Sequence, residues 1–123
     1  MTPAIKLFIT GDDERVQEAY EEIYSTYIID KNFVTKGTRD HMTLEFSGDR
    51  AVCMVPIFSS KDKEAMLNRA WYIISRWDVT SVVCNGLLVR DFAAESLVAF
   101  PTVDIVEFCK ARWDGKDSVK KGD

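Results

Sequence analysis

The chain has 123 residues, 46% of them apolar and 29% charged, with a net charge of −4 and three cysteines. That length suits one domain with its own core, and the composition lies far from the polar, highly charged compositions of disordered chains. No apolar run approaches the ~20 residues that a membrane-spanning helix needs, and the short stretch Ala4–Ile9, interrupted by Lys6, does not read as a secretory signal.

Charge is unevenly spread. Residues 1–30 hold two basic side chains, Lys6 and Arg15, against seven acidic ones, a balance of −5 that leaves +1 for the rest. Phosphate binding needs a basic surface, so residues 1–30 argue against a nucleic-acid footprint there, which leaves the rest of the chain open to one though phosphate contact there is weakly supported. Cys53, Cys84 and Cys109 each lie in an apolar run with no CxxC pair, which predicts reduced, buried thiols and a reducing, cytoplasmic compartment. Neither sulfur nor histidine spacing suggests a metal site, and no cofactor is expected.

Residues 4–9 alternate Ile5, Leu7 and Ile9 with Lys6 and Thr10, as a short strand would, while Thr2-Pro3 offers the competing start of a helix. Gly11 is expected to break either element. Asp12 or Asp13 can cap the helix that follows, whose apolar positions Val16, Ala19, Tyr20, Ile23, Tyr24, Tyr27 and Ile28 recur at helical spacing. Its other face carries Glu14, Glu18, Glu21 and Glu22, and early acids suit the positive end of the helix dipole.

Residues 31–40 read as a polar connector. Met42, Leu44 and Phe46 then alternate with Thr43 and Glu45, Ser47-Gly48-Asp49 signals a turn, and 51–58 reads as a second strand, which predicts a hairpin. The second strand is apolar on both faces and so belongs inside the sheet; Pro56 marks where pairing on one side must end.

Ser59 or Ser60 can cap a helix over 61–77, where Met66, Leu67, Ala70, Trp71, Ile73, Ile74 and Trp77 form a stripe wider than one core face needs. Residues 79–84 read as a buried strand, and Asn85-Gly86 as the type I′ turn of a second hairpin leading into LLVRDF. Residues 93–100 suit either a short helix or an edge strand. Thr102 can cap a last helix carrying Val103, Val106, Cys109 and Trp113, and 114–123 reads as a polar, disordered tail.

The expected fold is therefore a single α+β domain over 1–113: a mostly antiparallel sheet of about five strands with helices on one face, in the order β-α-β-β-α-β-β-α.

Candidate chemistry is sparse. His41 is the sole histidine, so a histidine-dependent mechanism must use it, with Asp40 beside it, Cys53 as a nucleophile or Glu45 as a carboxylate partner. A two-residue turn at Gly48-Asp49 would set Cys53 opposite Leu44 in the core and His41 on the other face; a three-residue turn would reverse that. Glu18, Glu21 and Glu22 resemble the carboxylate clusters that hold magnesium in helical hydrolases, but such sites draw ligands from a second helix as well. The phosphate-loop, nucleophile-elbow and zinc-protease motifs are absent. Lys61, Lys63, Arg69 and Arg76, and Lys110, Arg112, Lys116, Lys120 and Lys121 near the end, lack the interleaved aromatics of a single-strand binder.

The run from the His41 strand through VCMVPI, an amphipathic helix and VTSVV, residues 41–84, resembles small α+β proteins of unassigned function carried by bacteriophages and mobile elements. The resemblance implies an origin of that kind, and an inhibitor of a host protein as one form of activity. Trp, Tyr and Arg dominate interfaces. The sequence accordingly predicts a non-enzymatic protein-binding module that uses Trp71, Tyr72, Trp77, Arg69, Arg76, Glu14, Glu18, Glu21 and Glu22 on a foreign protein or on a second copy as a homodimer. The alternative is a small enzyme or small-molecule binder built on His41, Cys53 and Glu45.

Overall fold

A computed structural model describes residues 3–84, 87–91 and 96–97. It is an α+β fold in which β1 (Ile5–Asp12), α1 (Asp13–Ile29), α2 (Lys36–Asp40), β2 (Thr43–Ser47), β3 (Arg50–Ile57), α3 (Lys63–Arg76), β4 (Ser81–Cys84), β5 (Leu87–Asp91) and β6 (Ser96–Leu97) follow in that order. The strands form one sheet, β2-β3-β1-β4-β5-β6, with antiparallel neighbours throughout.

The first strand does not stop at Gly11 but runs on to Asp12, which pairs with Arg50. Alternation places Ile5, Leu7 and Ile9 on one face, opposite Ile57, Val55 and Cys53 of β3, and all six are buried. Helices α1 and α3 cover this face: Val16 and Ile23 from the first, and Met66, Leu67, Ala70, Ile73 and Ile74 from the second, share its core. The other face carries half-buried Phe8, Val52, Met54 and Val83 beside exposed Thr10, Thr43 and Glu45.

The turn between β2 and β3 has two residues, with Ser47 paired to Arg50 and Leu44 to Cys53. Gly48 sits there at φ 67°, a conformation in which only glycine escapes the Cβ penalty. Pairing of β3 with β2 ends at Met54, while on the β1 side it continues to Ile57 past Pro56. A proline that lacks its donor on one side is tolerated in this way.

Several expectations need correction. The connector holds a short helix, α2, capped by the Thr35 hydroxyl, which accepts from the Thr38 amide at 3.2 Å. The cap of α3 is neither Ser59 nor Ser60 but Asp62, whose carboxylate accepts from the Ala65 amide at 3.1 Å; Ser60 Oγ instead accepts from the Asp62 amide. The sheet has six strands where about five were expected, because Ser96–Leu97 adds an edge to β5. Ile28 is 79% exposed rather than core, since five residues beyond Ile23 turn a helix by about 140° from the buried side. Five of the seven stripe residues of α3 are buried, and Trp71 and Trp77 are half-buried against the same core, so one helix–sheet contact does absorb most of the stripe.

The β4 and β5 strands pair antiparallel with Cys84 opposite Leu87. The Asn85-Gly86 turn between them, the helix expected after Thr102 and the tail at 114–123 lie outside the described residues.

Candidate functional site

The described residues do not gather His41, Cys53 and Glu45. His41 closes α2, where its Nδ1–H donates to the Gly37 carbonyl oxygen at 3.0 Å and its ring meets Phe58 edge-on at 5.2 Å. Cys53 is fully buried on the helix-covered face, and burial pushes its thiol up to about 12. Glu45 stands exposed on the opposite face, across from Val52. The two-residue turn separates Cys53 from Glu45, because neighbouring strand positions point to opposite sides, whereas His41 stands before β2 as the C-cap of α2 and not on a strand face with Thr43 and Glu45 as expected.

The residues nominated for partner contact divide differently. Glu18, Glu21, Glu22, Tyr72, Arg76 and Trp77 line one open groove of about 530 Å³ between α1 and α3, together with Ser25, Thr26 and Ile29. On α1, Glu18, Glu22 and Ile29 are spaced by four and seven residues, which keeps them on one side of the helix. The Ser25 and Thr26 hydroxyls donate to the Glu21 and Glu22 carbonyl oxygens, each at 2.8 Å, and so are satisfied within their own helix. Glu18, Glu21 and Glu22 are all exposed.

The α3 side is aromatic. Trp77 caps the helix and donates its Nε1–H to Glu22 Oε2 at 3.0 Å, which ties the end of α3 to the middle of α1. Its ring meets Tyr72 edge-on at 5.9 Å; Tyr72 in turn stacks on Phe33 at 4.2 Å and carries the Arg76 guanidinium 4.4 Å from its ring centre. The groove thus has a fixed aromatic floor and a carboxylate rim. At its far end Ile29 is 84% exposed, next to Ile28.

Glu18, Glu22, Arg76 and Trp77 also border a larger depression of about 860 Å³ where β1 turns into α1. There Arg15 pairs with Asp78, and Thr10 Oγ1 donates to Thr80 Oγ1 at 3.1 Å while Thr80 Oγ1 donates to the Phe8 carbonyl oxygen at 3.0 Å. Its charges, Asp12, Arg15, Glu18, Glu22, Arg50, Arg76 and Asp78, nearly cancel, so this region favours neither sign of ligand.

The remaining nominated residues lie apart from the groove. Arg69 Nε donates to the Asn32 carbonyl oxygen at 3.0 Å and holds α3 to the loop after α1. Glu14 is in the first turn of α1, its amide bound by Asp13 Oδ1 at 2.7 Å. Trp71 packs half-buried against the core. Ile29 was missed by the sequence reading although a signal existed: an isoleucine six residues after Ile23 falls about 120° off the core face.

Among the described residues no group of three or more histidine, cysteine or carboxylate side chains is arranged to hold a metal ion, so Glu18, Glu21 and Glu22 do not form such a centre. Among the same residues no helix is long and apolar enough to cross a membrane. Comparison with protein-family models, curated proteins and solved structures found no match to this chain.

Proposed function

We propose that the protein is a non-enzymatic protein-binding module whose docking surface is the groove between α1 and α3. The observation that carries this reading is the convergence of three glutamates, Tyr72, Arg76 and Trp77 on one concave surface ending in the exposed Ile29. Interfaces combine such aromatic and arginine anchors with a polar rim. The scattering of His41, Cys53 and Glu45 speaks against the rival enzyme built on those residues.

Ile29→Arg tests the proposal without touching the core, because the side chain faces solvent. The protein is used as bait in an extract of its native host, beside the variant. Proteins retained by the original chain and lost by the variant, at unchanged circular dichroism, are the expected result. Equal retention by both contradicts the groove. Sedimentation of the purified chain then separates a second copy from a foreign partner.

A further inference from the structure

The chemistry of the groove narrows the class of partner. We infer that it takes a basic segment of another protein, one that brings arginine or lysine side chains to Glu18, Glu21 and Glu22 and an apolar residue to Ile29 and Trp77. This rests on the reading of the groove as a docking surface.

Charge supports the inference first. Among the described residues, three of the four charged side chains lining the groove are glutamates, and the cation among them, Arg76, already lies on the Tyr72 ring. Ser25 and Thr26 donate to backbone carbonyls, so neither neutralises a carboxylate. Only Glu22 has a described donor, the Trp77 indole, and that contact holds its carboxylate at the rim. The larger depression beside it carries nearly balanced charge and lacks this polarity.

The floor supports it second. Long cationic side chains lay their alkyl stems on apolar surface while their heads reach water or a carboxylate. Tyr72, Trp77 and Ile29 line the groove together with the three glutamates and supply such a surface. The protein also accommodates guanidinium groups against aromatic rings elsewhere: Arg39 sits 4.3 Å from the Tyr24 ring centre and 5.3 Å from that of Tyr27. Arginine is the cation best suited to this mixture of stacking and carboxylate pairing.

Length adds a constraint. From Glu18 to Ile29 the α1 axis advances roughly 16 Å, the length of three helical turns or about five extended residues. A segment with two or more cations over that distance and one apolar anchor near its end matches the rim.

The test uses the full chain and a displayed library of random twelve-residue peptides, with counter-selection on Ile29→Arg. The expected result is enrichment of peptides carrying at least two arginines or lysines and an apolar anchor. Their affinity should fall about threefold for each of Glu18→Gln, Glu21→Gln and Glu22→Gln, and roughly thirtyfold for the three together. Glutamine at 22 keeps an acceptor for the Trp77 indole. Glu14→Gln with Glu64→Gln, at exposed residues in the first turns of α1 and α3 that do not line the groove, should leave affinity unchanged, and an equal loss there would reduce the effect to general charge and overturn the inference. Enriched neutral or acidic peptides that still fail on Ile29→Arg would overturn the basic segment and leave the groove standing. An absence of enrichment, or binders insensitive to all groove substitutions, would overturn both.

Discussion

Cys53 shows how one residue's surroundings decide its chemistry. It lies on an inner strand of the sheet, across from Ile9 and Leu44, with none of its surface exposed. A thiolate there would lack solvent, so burial favours the neutral thiol and raises its value from 9.0 to about 12. Tyr20, which packs on the same core, is raised in the same direction, chiefly by burial. The sign follows directly: a group whose folded value lies above its unfolded one adds stability that is complete below about pH 9 and is lost as pH climbs toward 12. Alkylation by iodoacetamide at pH 8, followed by peptide mapping, should leave Cys53 unmodified in the native state and label it fully in urea. Native labelling at the unfolded rate would contradict its burial. The sequence made this thiol legible through its apolar neighbours, but not the short helix that holds His41 at its end, outside the strand that carries Leu44 opposite Cys53.

At the scale of elements, periodicity located the main pieces, while their ends obeyed local hydrogen bonding that several serines and aspartates could equally supply. Asp62 caps α3 because its carboxylate meets the Ala65 amide and its own amide is held by Ser60 Oγ. Asp62→Ala should therefore cost about 1 kcal/mol, seen as a lower urea midpoint with an unchanged slope; Ser59→Ala should change neither. A null result at Asp62 would mean that the cap lies elsewhere. The short helix α2 was illegible for a related reason. Its five residues, KGTRD, have no room for an apolar period, and it is fixed by Thr35 and by packing against β3. The width of the α3 stripe misled in the other direction: five of its seven residues are buried and the two tryptophans are half-buried against the same core, so the stripe leaves little apolar surface over.

At the scale of the whole molecule, the sequence conveyed the class, an antiparallel sheet with its two long helices on one face, but not the strand order. Placing β1 between β3 and β4 joins residues 38 or more positions apart, and hydrophobic pattern carries no address for such pairings. The groove has the same origin. Glu22 and Trp77, 55 positions apart, meet only because both helices share the face that β1 centres. The acidic face of α1 and the aromatic end of α3 were each readable, and their junction was not. The most direct measurement of the central claim is amide and indole chemical-shift mapping of the labelled full chain against a selected dodecamer. The perturbed signals should cluster on residues 18–29 and 72–77, with the Trp77 indole N–H among the largest. Perturbations confined to the opposite sheet face, around Phe8, Met54 and Val83, with 18–29 and 72–77 unmoved, would contradict it.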